Sequence, residues 1–249
     1  MASTVLVTGA SAGFGAAMVR RWAKGGARVI AAARRVDRVQ ALADELGPAV
    51  FPVQLDVQDR VAVNGAVESL LEEFEAIDVL VNNAGLARGA EPAQEADLDG
   101  WQQMLDTNCT GLLHCTRAVL PAMVARGRGH VVNIGSIAAT YPYPGANVYG
   151  ATKAFVRQFS LNLRSDLHGT GVRVTCIEPG LGNTDFYKVR DGNAEKADAM
   201  HEGTQPLTAQ DIADAAVWAV GQPPHVNVNT IELMPVVQSF GALPVHRPG

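Results

Sequence analysis

At 249 residues, with 47% hydrophobic and 18% charged residues, the chain can bury a sizeable core as one α/β domain, and the balance excludes disordered and fibrous classes. A formal net charge of -5 with no basic run beyond Arg34-Arg35 argues against general nucleic-acid binding and points to small-molecule partners. No apolar run approaches the ~20 residues of a membrane span.

The elements follow in chain order. The start M-A-S-T-V-L-V-T-G runs into a strand at 4–8 with no room for a secretory signal, so a cytoplasmic location is expected. That strand leads into Thr8-Gly9-Ala10-Ser11-Ala12-Gly13-Phe14-Gly15 and a helix at 14–24. A strand at 27–33 ends in Arg34-Arg35, followed by a helix at 37–46, a strand at 49–55 and a helix at 59–74. Strands at 78–82, 130–135, 172–177 and 229–234 alternate with helices at 101–126, 149–168 and 209–220, Asp211 suiting the start of the last. Seven strands alternating with amphipathic stretches predict βα units around one parallel sheet, with helices on both faces. The polar, glycine-broken segment from Gly180 to Pro206 interrupts the rhythm and is predicted to be a lid over the site. No repeat or linker divides the chain, which reads as a single domain over 1–249.

The cysteines Cys109, Cys115 and Cys176 form no C-x-x-C pair and read as reduced core residues. The six histidines lack metal-ligand spacing, so no metal is expected; the sequon Asn108-Cys109-Thr110 reads as chance without a secretory signal.

The glycine turn after the first strand suits a pyrophosphate: glycines permit the tight turn and close backbone approach, and the helix N-terminus offers unpaired N–H groups. Its spacing is Gly-x-x-x-Gly-x-Gly. Arg34 and Arg35, where an NAD-selective site carries an acidic residue, imply a 2'-phosphate and hence NADP; helix capping or ion pairing with Asp37 and Asp44 is the plainer alternative. Ser11 can add a hydrogen bond to the phosphate. Asp56 can accept from the adenine amine or cap the following helix. In N-V-Y-G-A-T-K-A-F, Tyr149 and Lys153 share one face of a helix a turn apart.

Taken together, T-G-A-S-A-G-F-G (8–15), L-D-V (55–57), N-N-A-G (82–85), Asn108 in D-T-N, Ser136 in I-G-S, Y-G-A-T-K (149–153) and E-P-G (178–180) resemble the short-chain dehydrogenase/reductase family over nearly the whole chain. Within it, N-V-Y-G-A-T-K-A-F-V-R-Q-F-S-L-N-L-R, D-L-H-G-T, I-E-P-G-L and the tail M-P-V-V-Q-S with V-H-R are most similar to bacterial NADP-dependent 3-hydroxy acid dehydrogenases, also described as serine or malonic semialdehyde dehydrogenases. The loop G-L-G-N-T-D-F (180–186) looks shorter than its counterpart there.

The resemblance implies a Rossmann-type doubly wound fold and a hydride transfer between NADP and a CH-OH group. It makes Tyr149 the acid/base and Lys153 its activator and a ribose ligand; Ser136 holds the substrate oxygen and Asn108 anchors a water. Poising a phenol from ~10 to ~7 takes about 4 kcal/mol, the order an ammonium ~4 Å away supplies at an effective dielectric of ~20. Asn82, Ala84 and Gly85 would lie beneath the adenosine, supporting or binding it, Pro179 and Gly180 near the nicotinamide, and Thr184 at its carboxamide.

For a substrate carboxylate the candidate is Arg190 in the lid, with Arg88 and His246-Arg247 as weaker ones. A homotetramer through the helices at 101–126 and 149–168 and the final strand is also implied. Alternatives are a carbonyl reductase for bulkier ketones or aldehydes, lined by Tyr141, Tyr143, Phe186 and Tyr187, a non-catalytic NADP(H) sensor, or a methyltransferase-like fold that Arg34-Arg35 and the tyrosine-lysine pair oppose.

Overall fold

The structure, a computed structural model, describes residues 3–183 and 204–240. Seven strands, β1 (Thr4–Thr8), β2 (Arg28–Ala33), β3 (Val50–Gln54), β4 (Val79–Asn82), β5 (Gly129–Ile134), β6 (Val172–Pro179) and β7 (Thr230–Leu233), form one sheet in the order β3-β2-β1-β4-β5-β6-β7. Every pairing is parallel, from Val5 opposite Val29 and Val79 to Ile177 opposite Ile231. The direction of winding reverses between β1 and β4, so the crevice at their C-terminal ends is where a ligand can lie.

Parity along the strands builds two cores. Val5, Val7, Val29, Ala31, Val81, Val132 and Ile177 face α1 (Gly13–Lys24), α2 (Val36–Leu46) and α7 (Ala209–Val220), meeting Met18, Trp22, Leu42 and Ile212. Leu6, Ile30, Leu80, Val131 and Val174, on the other parity, face α3 (Arg60–Phe74), α5 (Leu112–Ala125) and α6 (Asn147–Asp166), meeting Val67, Phe74, Met123 and Leu163. Because both faces are covered, the strands carry the unbroken apolar runs that the sequence shows.

The element boundaries agree with expectation to within a few residues, with one exception. The single helix expected over 101–126 is three pieces: α4 (Leu98–Leu105), a π-helical turn (Asp106–Gly111) and α5. The early start follows from Asp97, whose carboxylate accepts from the amides of Asp99 and Gly100. Gly111 packs so closely on Val57 that a Cβ there would lie 2.5 Å from Val57 Cγ2. At α7 the cap is Thr208, in a reciprocal pair with Asp211.

Candidate active site

At the C-terminal ends of the strands lies a cleft of about 1700 Å³. Its first wall begins where β1 gives way to α1. Gly9 and Gly13 take φ of 65° and 52°, in the left-handed region open to glycine. A Cβ on Gly15 would sit 2.3 Å from the Gly9 carbonyl and 2.6 Å from Asn83 Nδ2, so Gly15 is the packing glycine behind the turn. Gly9, Ser11, Gly13 and Phe14 line the cleft itself.

This turn is locked to the end of β4 by Thr8 and Asn83. The Thr8 hydroxyl donates to the Val81 carbonyl and accepts from the amides of Asn83 and Ala84, while Asn83 Nδ2 donates to the carbonyls of Thr8 and Gly9. Asn83 lines the cleft with Ala84 and Gly85. Asn82 does not. It is buried on the α5–α6 side, donating to Thr116 Oγ1 and Asn133 Oδ1, and Asn133 donates on to Ser160. Of the two asparagines, Asn82 supports the sheet and Asn83 shapes the site. The sequence carries no parity cue between them, since every residue of β4 is buried.

At the end of β2, Arg34 and Arg35 both line the cleft, joined by Arg38 from α2. Arg35 Nε and its terminal nitrogen donate to Ser11 Oγ at 3.3 and 2.8 Å, so a guanidinium and a hydroxyl converge on one point of the wall. Asp37 and Asp44 take no part: Asp44 accepts from Gln40. Asp56 lines the cleft and accepts from the Gln58 amide, whereas the cap of α3 is Asp59, bonded to the amides of Val61 and Ala62. Asp56 is thereby left at the cleft wall.

In the middle of the cleft, α6 presents Tyr149 and Lys153 on one face, as their spacing predicts. Lys153 is buried; Nζ donates to the Ile134 carbonyl at 2.9 Å and lies 5.8 Å from the centre of the Tyr149 ring. Burial pulls this ammonium down from 10.5 to about 8, with Cys176 and Cys109 acting the other way. Both thiols are themselves pushed up by burial, to about 12 and about 11, and all three cysteines are free and buried. Ser136, at the end of β5, lines the cleft and accepts from the Ala138 amide, which fixes the short turn behind it.

Asn108 stands behind this group, inside the π-helical turn. Its Oδ1 accepts from the Leu86 amide at 2.8 Å, and its Nδ2 donates to the Leu86 carbonyl and Thr152 Oγ1. A Cβ on Gly85 would meet Asn108 Oδ1 at 3.2 Å and Lys153 Nζ at 3.6 Å, so Gly85 is what allows the asparagine and lysine to share this space. The π-helical turn re-aims the side chain toward Leu86 and Thr152.

The far wall comes from β6 and β7. Pro179 and Gly180 line it, and Gly180 N donates to the Leu233 carbonyl. Beyond them Gly182 pairs with Leu207, and Asn183 N donates to the Leu207 carbonyl. The carboxamide candidate Thr184, the carboxylate candidate Arg190, Phe186, Tyr187, and His246-Arg247 fall outside the described residues. Arg88, in the loop between β4 and α4, donates to Gln103 of α4 and is not part of the cleft wall.

Sequence reasoning missed a further wall: Met234, Val237, Gln238 and Phe240, after β7, line the cleft, and Gln238 Oε1 accepts from the Leu181 amide at 2.7 Å. Tyr141 packs on Phe240 at 4.8 Å and donates to Glu232. Behind them Glu178 is buried, its carboxyl raised by burial and lowered by Arg157 at 3.5 Å. Among the described residues no cluster could hold a metal ion, and no helix is long and apolar enough to cross a membrane.

Three comparisons bear on this geometry. The family profile of the short chain dehydrogenases matches residues 3–194. The chain is 59% identical over 245 residues, 98% of it and 99% of the relative, to the NADP-dependent 3-hydroxy acid dehydrogenase of Salmonella typhi, and 52% identical over 248 residues, 99% of both, to the serine 3-dehydrogenase of Agrobacterium fabrum. The structure described as the closed form of serine dehydrogenase complexed with NADP+ superposes with a TM-score of 0.96 at 55% identity, covering 98% of this chain and 100% of that one.

Proposed function

The chain belongs to the short-chain dehydrogenase family and is an NADP-dependent oxidoreductase acting on a CH-OH group; from that premise we propose that its substrates are 3-hydroxy acids such as 3-hydroxypropionate or serine, with malonic semialdehyde reduction as the reverse reaction. The observation that carries the reading is the 52–59% identity, over nearly every residue, to relatives named for those substrates. NADP fits the cleft: Gly9 and Gly15 clear the pyrophosphate turn, and Arg35 with Ser11 supplies a cation and a hydroxyl where the 2'-phosphate would lie. Gly9, Ser11, Gly13, Phe14, Arg34, Arg35, Asp56, Ala84, Gly85, Pro179 and Gly180 would hold it, with Asn82 and Gly15 behind.

When bound, NADP accepts or supplies the hydride. Ser136 holds the substrate oxygen, and Tyr149 takes the hydroxyl proton on oxidation and returns it on reduction. The Lys153 ammonium, held on the Ile134 carbonyl with Nζ 5.8 Å from the centre of the Tyr149 ring, favours the phenolate by its charge. Asn108 holds Leu86 and Thr152 so that Lys153 keeps that place, and it anchors the water that links the lysine to solvent.

The whole chain acts as one domain, residues 181–207 serving as the substrate lid with Arg190 closing on a carboxylate. We place it in the cytoplasm, and as a homotetramer, the assembly being supported by β7, the last strand of the sheet among the described residues, and by Leu105, Leu113 and Phe155 exposed on α4–α6. A second reading, reduction of bulkier ketones or aldehydes, is favoured by Tyr141 and Tyr143 in the cleft wall.

NADP reduction followed by absorbance, with 3-hydroxypropionate beside its methyl ester, decides between the two. A kcat/KM favouring the acid by more than about tenfold supports carboxylate recognition. Comparable rates move the substrate to the second reading.

A further inference from the structure

If the substrate is a 3-hydroxy acid, something at the catalytic end must meet its carboxylate. The described cations that line the cleft are Arg34, Arg35 and Arg38 on the adenosine side and Lys153, which is engaged by the Ile134 carbonyl. Past Ser136 and Tyr149 the described wall is mostly aromatic and apolar, and its one side-chain amide is Gln238.

Gln238 is held in place from both ends. Its backbone amide closes a turn onto the Pro235 carbonyl, and its side-chain Oε1 accepts from the Leu181 amide at 2.7 Å. Gly180 makes this possible: a Cβ there would lie 2.4 Å from Gln238 Oε1, too close for any other residue to leave the contact intact. An amide whose oxygen is committed has two N–H donors remaining on its nitrogen. Among the described residues those donors take no protein partner, and the residue lines the cleft immediately beside the Pro179–Gly180 wall.

We propose that Gln238 is a specificity-determining residue for the substrate carboxylate, its oxygen anchored by Leu181 and its nitrogen donating to the acid. This rests on the 3-hydroxy acid reading above. It adds a neutral donor on the segment after β7, which makes a charge-assisted hydrogen bond to the acid.

The test is Gln238→Glu beside Gln238→Met, each assayed on 3-hydroxypropionate and on its methyl ester, with NADP affinity followed separately by fluorescence titration. Glutamate keeps an oxygen for the Leu181 amide and replaces the donors with a negative charge. Its kcat/KM for the acid should fall by about 100-fold, chiefly through KM, while the ester changes by less than about threefold. Methionine removes donor and anchor together, and should lower the acid's kcat/KM by about tenfold or more, again with the ester less affected. NADP affinity should be unchanged in Gln238→Glu.

Equal losses for acid and ester in Gln238→Glu would overturn the proposal and leave Gln238 as a positioning residue for the Leu181 loop. An unchanged acid-to-ester ratio with full activity would overturn it as well. A wild-type enzyme that does not prefer the acid would be a different failure, removing the 3-hydroxy acid reading and the proposal with it.

Discussion

Lys153 is held as a buried base on a carbonyl, and that has a measurable cost. Its folded-state value of about 8 lies below the ordinary 10.5, so between those two pH values the unfolded chain binds the proton that the folded chain has lost. Stability attributable to this residue therefore rises as pH climbs from about 8 to 10.5, by as much as ~3 kcal/mol, and is least below 8 where both states are protonated. Lys153→Met removes that dependence. Urea unfolding of the cofactor-free proteins at pH 7.5 and 9.5 should show the wild type gaining on the variant at the higher pH; a constant difference would mean the ammonium is not desolvated.

At the same scale, Arg35→Leu should lower kcat/KM with NADP by about 30-fold or more and leave the slower reaction with NAD little changed, because only the 2'-phosphate uses the guanidinium. Equal losses with both cofactors would place Arg35 in a scaffolding role through Ser11. The tyrosine-lysine pair and the arginines were legible in the sequence because their chemistry depends on residue type and local spacing. Asn83 and Gln238 were not: one is an asparagine directly after another, half-buried just past the end of β4, and the other reaches Leu181 across 57 residues of chain.

Among the elements, the π-helical turn separates the structure from its sequence. Asp106–Gly111 lies in a continuous amphipathic run, and periodicity alone reads it as helix; the extra residue per turn is stabilised by contacts with Leu86, Thr152 and Val57 from elsewhere in the fold. Asn108→Leu leaves the Leu86 amide and carbonyl without partners, which should cost about 3 kcal/mol and lower Tm by roughly 6–12 °C, with a fall in kcat as Lys153 loses its neighbour. Thr208→Ala, which removes a helix cap remote from the chemistry, should cost about 1 kcal/mol with kcat retained. Differential scanning calorimetry with parallel assays separates the two; a Thr208→Ala enzyme that is stable yet slow would show that α7 reports on the site.

At the scale of the whole molecule, β7 is the edge strand of the sheet among the described residues, and α4, α5 and α6 expose apolar side chains, with Leu105 at 41%, Leu113 at 37% and Phe155 at 38%. If these faces assemble the proposed tetramer, Leu113→Asp should lower the mass measured by light scattering while the monomer fold, read by circular dichroism, persists. A wild-type monomer at micromolar concentration would dispose of the assembly.

By itself the sequence determined the seven strands and the helices between them, the glycine turn, the arginine pair after β2 and the one-turn spacing of Tyr149 and Lys153, because each is written in local spacing or residue type; Ser136 was legible only through the family resemblance. What only the tertiary structure decided was which asparagine faces the cleft, that Asp59 and not Asp56 caps α3, that Asn108 sits in a π-helical turn, and that the segment after β7 lines the cleft. These depend on contacts between residues far apart in the chain. The free energy that selects them comes from burial and hydrogen bonds that exist only after the sheet has assembled, and no local pattern encodes them.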